Sequence, residues 1–148
     1  MDETVLCYLI KNDSYLMLKR NKKKNDMNEN KYIGVGGHIK PKESIYDACK
    51  REVKEETGYK VNSLKYHGKV LFKNNDFEEM MYLFTSNDFS GTEIICDEGE
   101  LIWVPINQVE KLNLWEGDKI FLPKLKTNEE INIKLIYDND KFIGWEKL

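Results

Sequence analysis

Residues 37–59 read GHIKPKESIYDACKREVKEETGY, and this stretch decides the fold. The pattern predicts a loop followed by a helix over residues 45–57. Ser44 is a suitable N-cap because its hydroxyl can accept a backbone N–H of the first turn, and Asp47 makes an imperfect capping box with it. No glycine or further proline occurs between the loop and Gly58, which is typical of a helix C-terminus. This helix is therefore the best-defined element of the sequence.

One face of the helix combines apolar and acidic residues. At about 100° per residue, Glu52, Glu55 and Glu56 fall on the apolar side. The apolar residues of that side are Ile45, Ala48, Cys49 and Val53, and the opposite side carries Lys50, Lys54 and Thr57. Three carboxylates at this spacing repel one another, and burying them is costly unless a cation compensates. A site for a hard cation such as Mg²⁺ and a solvated acidic helix end are both compatible with this face.

The spacing of the charged residues and glycines resembles the Nudix box and favours the metal site. The nine positions that the pattern constrains are Gly37, Glu43, Arg51, Glu52, Val53, Glu55, Glu56, Gly58 and Tyr59, and all but the last match it. Tyr59 departs from the family pattern, which usually has an aliphatic residue at this packing position. The resemblance implies an α/β protein with the Nudix fold, a mixed β-sheet sandwiched between helices. It also implies hydrolysis of a nucleoside diphosphate linked to another moiety, assisted by Mg²⁺ or Mn²⁺.

The resemblance assigns roles to the acidic residues. The metal ligands it implies are the Gly37 carbonyl and the carboxylates of Glu52, Glu55, Glu56 and Glu98. Glu98 comes from an acidic loop before Trp103, where it is either a ligand, the base that activates water, or a solvated turn residue. The base remains open between Glu55 and Glu98. Arg51 is expected to orient a carboxylate and to offset the like charges, with Glu43 as its partner.

Two further groups of residues are candidates for substrate binding. Arg20 and Lys23 belong to a basic run that either contacts phosphates or forms a solvated loop. Trp115 alone is typical of core packing. Together with Asp118, however, it is similar to the purine-side wall of oxidised-nucleotide diphosphatases, in which an aromatic ring flanks the base and a carboxyl group reads its edge.

The rest of the chain predicts mainly strands. Strands are expected at residues 4–10, 14–18, 32–37, 61–72, 80–84, 92–96 and 101–105, with a bulge or gap at Gly68. Residues 128–137 and 141–145 are expected to form a closing hairpin. Helical turns are expected at residues 106–112 and 119–125.

Composition restricts the class of protein. A length of 148 residues predicts a single domain over residues 1–148. The net charge of −3 argues against a nucleic-acid binder, and no apolar run is long enough to span a membrane. Cys7, Cys49 and Cys96 show no metal-binding spacing, so we expect reduced packing residues in a cytoplasmic protein. The sequence leaves the oligomeric state open.

The wider resemblance concerns the substrate. The hairpin ending at Arg20, the glycine run before the helix, the acidic loop, and Trp115 with Asp118 look like the MutT-type 8-oxo-dGTP diphosphatases. This implies conversion of an oxidised purine nucleoside triphosphate to the monophosphate and pyrophosphate. Ile33 departs from the pattern, because mammalian relatives have a purine-reading asparagine there. The alternatives are hydrolysis of ADP-ribose or a dinucleoside polyphosphate, and a non-catalytic nucleotide-binding module, which usually lacks box carboxylates that are all present here.

Overall fold

A computed structural model describes residues 1–148. Its strands are β1 Asp2–Lys11, β2 Ser14–Lys19, β3 Tyr32–Ile33, β4 Val35–His38, β5 Lys60–Val61, β6 Lys65–Asn74, β7 Phe77–Ser86, β8 Phe89–Ser90, β9 Glu100–Pro105, β10 Ile131–Asp138 and β11 Lys141–Lys147. Its helices are α1 Ile45–Thr57 and α2 Asp118–Phe121, with 3-10 helices at Ile106–Lys111 and Leu122–Lys126.

Nine of the strands form one mixed sheet. Its order is β11–β10–β6–β7–β1–β2–β3, with β4 paired to β1 and β9 paired to β2. The pairs β1–β7 and β6–β10 are parallel, and the others are antiparallel. Strands β5 and β8 form a separate two-stranded ribbon. Strand β1 is central because it pairs with β4, which carries the glycine run, and with β7 and β2 on either side.

Helices cover both sides of this sheet, as predicted. On one side α1 contributes Cys49 and Val53 to a buried core that also contains Cys7 of β1. On the other side Phe121 of α2 packs against Tyr8, with ring centroids 6.4 Å apart. Because successive side chains of a strand point to opposite faces of the sheet, β1 contributes alternate side chains to the two cores. Burial of an apolar side chain contributes about 1.5–3 kcal/mol, so both layers stabilise the position of β1.

Both ends of α1 have the predicted caps. The backbone N–H of Asp47 donates to the Ser44 hydroxyl at 3.0 Å. Gly58 adopts a left-handed conformation with φ of 84°, and its N–H donates to the Lys54 carbonyl. A Cβ at Gly58 would lie 2.5 Å from the Thr92 carbonyl, so a side chain is excluded there on two grounds. These caps fix which residues of α1 face the glycine run.

The strand predicted at Thr92–Cys96 is wrong. These residues are irregular, and the short strand in this region is Phe89–Ser90, which pairs with β5. The backbone N–H of Ile94 donates to the Thr57 carbonyl at the end of α1, while Ile95 is 84% exposed. The apolar residues predicted a strand, but the segment crosses the helix end and has no strand beside it to pair with.

The long strand predicted at Val61–Phe72 is divided into β5 and β6. The amide of Asn62 donates to the Asp88 carboxylate at 3.1 Å, which holds the intervening residues in a turn. The predicted irregularity at Gly68 is confirmed, because the pairing of β6 with β7 shifts between Tyr66 and Gly68. The closing hairpin of β10 and β11 is also confirmed.

The three cysteines are buried and free, in agreement with their predicted packing role. Cys7 and Cys49 meet between β1 and α1, where their contact and burial raise the pKa of Cys7. None of the helices has the length and apolar character needed to cross a bilayer.

We predict that Gly68→Ala lowers the free energy of unfolding by about 1–3 kcal/mol. Gly68 has φ of 123°, and an added Cβ would clash with the backbone of Ile131 on β10. Gly144→Ala is the matched control, because a Cβ there meets no atom within 4 Å, and its effect should stay within about 0.5 kcal/mol. Urea unfolding measures both, and equal stabilities of the two variants would contradict this account of the bulge.

Candidate active site

The acidic face of α1 is less uniform than predicted. Glu56 is buried and the Glu52 side chain is 15% exposed, but the Glu55 side chain is 55% exposed. The prediction that all three face inward is therefore wrong for Glu55, which lies at the solvent margin of the face. Thr57, predicted on the wet side, is fully buried, because the following chain covers the helix end and its hydroxyl donates to the Val53 carbonyl.

The glycine run lies directly against these carboxylates. The backbone N–H of Gly36 donates to Glu56 Oε1 at 2.8 Å. A Cβ at Gly37 would lie 2.5 Å from Glu52 Oε2, and a Cβ at Gly36 would clash with the Val5 carbonyl. Only glycine therefore allows β4 to fit between β1 and α1. The Gly37 backbone lies where it could share a ligand with Glu52.

Arg51 binds the carboxylates that surround it. Its Nε and Nη2 donate to the two oxygens of Glu43, each at 2.8 Å, and Nη1 donates to Glu52 Oε1 at 2.7 Å. A longer contact of 3.4 Å reaches Glu55. The Arg51 hydrogen bonds lower the pKa of Glu43 to about 2. The predicted contact between Arg51 and Glu43 is confirmed, and Arg51 fixes the orientation of Glu52.

The loop between β2 and β3 brings positive charge to Glu98. Lys23 Nζ lies 2.9 Å from Glu98 Oε1, and Arg20 Nη1 lies 3.4 Å from Glu98 Oε2. Arg20 also pairs with Asp26 at 3.0 Å. The structure thus brings Arg20 and Lys23 of the basic run together with the acidic loop, although the two segments are far apart in sequence.

The pKa values of Glu56 and Glu98 are shifted in opposite directions. Burial and the hydrogen bond to Glu98 raise the pKa of Glu56 to about 9, whereas the hydrogen bond from Glu56 and the nearby Lys23 and Arg20 lower the pKa of Glu98. Burial also raises the pKa of Glu52, against the opposing effect of Arg51. Two carboxyl groups in contact cannot both ionise cheaply, so the proton resides on the more buried one.

A cavity of about 720 Å³ joins these groups. Its charged end is lined by Arg20, Lys23, Glu52, Glu56 and Glu98, together with Gly36 and Gly37. Its other end is lined by apolar side chains, which include Leu6, Ile33, Phe77 and Met81, with the polar Asp2, Thr4, His38 and Glu79 beside them. The size lies within the range typical of sites for small organic ligands. A ligand with a highly charged part and a flat apolar part matches this division.

The donor set fits a hard divalent cation. All its groups are oxygens, from carboxylates and a backbone carbonyl, which is the preference of Mg²⁺. In their present conformations, the acidic, histidine and cysteine side chains do not form a group of three that could hold a metal ion. Arg51, Lys23 and the proton on Glu56 compensate the negative charges instead. A bound cation would replace these partners.

Trp115 and Asp118 do not line this cavity. Trp115 is 4% exposed, packs against Phe72 and Tyr137, and donates its Nε1–H to Asn28. Asp118 is 5% exposed, and burial raises its pKa to about 7. The structure therefore places both residues behind the cavity wall, and their role in binding a purine stays a prediction.

The sequence interpretation missed a polar pair at the apolar end. Glu79 and Thr4 both line the cavity, and the Thr4 hydroxyl donates to Glu79 Oε2 at 2.7 Å. The signal was an acidic residue within a two-residue alternation, Phe77, Glu79 and Met81, which places Glu79 on an apolar strand face. The predicted strand begins only at Met80, which leaves Glu79 outside it.

We predict that metal-free wild type loses more stability than Glu56→Gln as the pH rises from about 4.5 towards 9. The pKa of Glu56 is about 9 in the folded protein and near its ordinary value of 4.5 when unfolded. The folded state therefore binds the extra proton, and the stability this provides is complete below pH 4.5 and lost towards pH 9. A glutamine amide can keep both the Gly36 and Glu98 hydrogen bonds without titrating. Urea midpoints in EDTA measure this.

The control for that experiment is Glu55→Gln, because Glu55 is largely exposed. Its stability should follow the wild-type pH dependence. A Glu56→Gln protein with the same pH dependence as wild type would contradict the raised pKa of Glu56.

Comparison with known proteins identifies the family. A model of the NUDIX domain matches residues 2–125. The oxidized purine nucleoside triphosphate hydrolase of Mus musculus is 30% identical over 105 residues, which are 70% of this chain and 67% of that protein. The crystal structure of a MutT protein from Bacillus halodurans superposes with a TM-score of 0.88 at 23% identity, over 99% of this chain and 97% of the other.

A more distant structure carries a ligand. The NUDIX domain of NrtR from Shewanella oneidensis, crystallised with ADP ribose, superposes with a TM-score of 0.68 at 16% identity, over 85% of this chain and 86% of the other. Such similarity supports the fold. Nudix hydrolases generally use divalent metal ions. With the box, the fold and the family model in agreement, the chain belongs to the Nudix hydrolase family, whose members are enzymes that act on nucleotides.

Proposed function

We propose that this protein is a Mg²⁺- or Mn²⁺-dependent nucleoside triphosphate diphosphatase that acts on oxidised purine nucleotides such as 8-oxo-dGTP. The products are the nucleoside monophosphate and pyrophosphate. The observation that carries this proposal is the divided cavity, in which acidic and basic side chains meet at one end and apolar side chains line the other. The names of its relatives, the oxidized purine nucleoside triphosphate hydrolases, agree with this substrate class.

The charged end of the cavity suits a polyphosphate. Arg20 is only 13% exposed and is already held by Asp26, so it presents a fixed fork of N–H donors. Lys23 is 57% exposed, so its side chain can move from Glu98 to a phosphate oxygen. Guanidinium and ammonium groups bind phosphate through charge-assisted hydrogen bonds. We therefore assign the triphosphate to Arg20 and Lys23.

The residues that would hold the divalent ion are Glu52, Glu55, Glu56, Glu98 and the Gly37 carbonyl. When bound, the ion supplies charge neutralisation for the phosphates and lowers the pKa of water. Arg51 keeps Glu52 oriented by the 2.7 Å hydrogen bond, which limits the reorganisation of the site. Positioning and charge neutralisation dominate phosphoryl transfer, so a fixed acidic cluster suits this reaction.

Two carboxylates remain candidates for the base that takes the proton of the attacking water. Glu98 lines the cavity, and its lowered pKa keeps its carboxylate ionised in the metal-free protein. Glu55 is more exposed and contacts Arg51 at 3.4 Å. The structural position favours Glu98, with Glu55 as the alternative.

The apolar end of the cavity suits the base of the nucleotide. Ile33 replaces the polar residue of the mammalian pattern at this end, and it offers contact area without a hydrogen bond. Trp115 supports the wall through Asn28, which itself lines the cavity. Asp118 is a buried carboxyl group behind the same wall, and we assign it to the base-binding side of the site.

We predict a specific outcome for a substrate panel with Mg²⁺. The panel contains 8-oxo-dGTP, dGTP, dATP, ADP-ribose and a dinucleoside polyphosphate, and product formation is followed by ion-exchange chromatography. We expect 8-oxo-dGTP to give the highest kcat/KM, with monophosphate and pyrophosphate released in equal amounts and activity lost in EDTA. Release of orthophosphate from the triphosphates, or full turnover in EDTA, would refute the proposed reaction.

Matched glutamine variants separate this activity from that of a contaminating phosphatase. Glu56→Gln should lower kcat by at least about 100-fold, because it removes a carboxylate that would hold the divalent ion, and that ion neutralises the phosphate charge. Glu110→Gln is the control, since Glu110 is exposed and does not line the cavity. Wild-type turnover by a folded Glu56→Gln protein would discard the acidic cluster as the reaction centre.

A further inference from the structure

Glu79 is an acidic residue on an apolar strand face. Phe77, Glu79 and Met81 alternate along β7, so their side chains point to the same side of the sheet. This is the side opposite α1, because Leu83, two residues further on, belongs to the core formed with α2. All three of the alternating residues line the cavity. Glu79 therefore brings a carboxyl group between two apolar side chains of the cavity lining, and Asp2, Thr4 and His38 line the cavity near it.

The carboxyl group of Glu79 is held in place but is not neutralised. Thr4 donates one hydrogen bond, at 2.7 Å, to Oε2. No lysine, arginine or histidine forms a salt bridge with Glu79. Burial raises its pKa. A carboxylate has lone pairs for about four hydrogen bonds, so most of its capacity is available to a ligand.

The position of Glu79 in the sheet separates it from the metal-binding end. Gly37 pairs with Val5 of β1, whereas Glu79 pairs with Asp2 of β1 on the opposite edge. The two positions are thus three residues apart along the strand, about 10 Å, and two strand spacings apart across the sheet, again about 10 Å. A ligand whose phosphates lie at the glutamates of α1 would place its far end near Glu79.

We propose that Glu79, positioned by Thr4, reads the base of the substrate by accepting hydrogen bonds from its N–H groups and so selects guanine-type over adenine-type nucleotides. This inference rests on the proposed function. Glu79 is preferred to Asp118 for this role because Glu79 lines the cavity and Asp118 lies behind its wall.

The choice of a guanine-type base follows from its hydrogen-bonding edge. Guanine presents a ring N–H and an amino group side by side, and both can donate to one carboxylate. Adenine presents an amino group beside a ring nitrogen acceptor, which would face the negative charge of the carboxylate unfavourably. Donation by the ligand stabilises the ionised form of Glu79, which offsets its loss of hydration. Ile33, Phe77 and Met81 line the same cavity and offer apolar contact area to the base.

The test compares Glu79→Gln with Glu78→Gln. Glu78 is the neighbour on β7 whose side chain points to the other face, and it does not line the cavity. For Glu79→Gln we expect the ratio of KM for dGTP to KM for dATP to rise at least about tenfold, as for loss of a charge-assisted hydrogen bond. The kcat should change little, because Glu79 is remote from the glutamates of α1. Glu78→Gln should keep the wild-type ratio.

A binding experiment keeps this inference separate from the proposed function. Calorimetry with dGMP and dAMP in EDTA measures base selection without hydrolysis. We expect wild type to prefer dGMP and Glu79→Gln to lose that preference, with Glu79→Asp intermediate because its shorter side chain withdraws from the cavity. If wild type selects dGMP but hydrolyses no triphosphate, the reaction is wrong and the inference stands. If Glu79→Gln keeps the wild-type preference, the inference is overturned.

Discussion

The structure depends on the compensation of a group of carboxylates that lie against a glycine strand. Glu52 and Glu56 are held between α1 and β4, where the absence of side chains at Gly36 and Gly37 leaves room for them. Arg51 compensates Glu52, and Lys23 with Arg20 compensates Glu98. Burial raises the pKa of Glu56 to about 9, which favours its neutral form in the metal-free protein. Each of these partners is replaceable by a cation, which makes the cluster suitable for binding one.

The fold explains why this cluster opens into a cavity with two unlike ends. Strand β1 pairs with β4 on one edge and with β7 on the other, so one strand connects the acidic cluster to the apolar region. The loop between β2 and β3 then adds Arg20 and Lys23 at the charged end. A nucleotide has the same division into charged and flat apolar parts. The arrangement thus supports positioning as the main contribution to catalysis.

The parts of the structure that local spacing determines could be predicted. The helix with Ser44 and Gly58 at its ends follows from capping chemistry, and the contact of Arg51 with Glu43 follows from the box. The parts that depend on contacts with residues far away in the sequence could not be predicted. The strand expected at Thr92–Cys96 lacks a neighbouring strand, and Glu79 reaches the cavity only because β7 lies beside β1. The exposure of Glu55 likewise depends on which segments cover the end of the helix. Helical periodicity predicts the face on which a residue lies, but it does not predict whether another segment covers that face.

The most direct test is a crystal structure of the protein soaked with Mg²⁺ and a non-hydrolysable nucleoside triphosphate analogue. The account predicts an ion about 2.0–2.1 Å from carboxylate oxygens of Glu52 and Glu56 and from phosphate oxygens. It also predicts that Lys23 leaves Glu98 for a phosphate. Glutamates that keep their Arg51 and Lys23 contacts, with no ion nearby and the nucleotide bound elsewhere, would contradict the central claim.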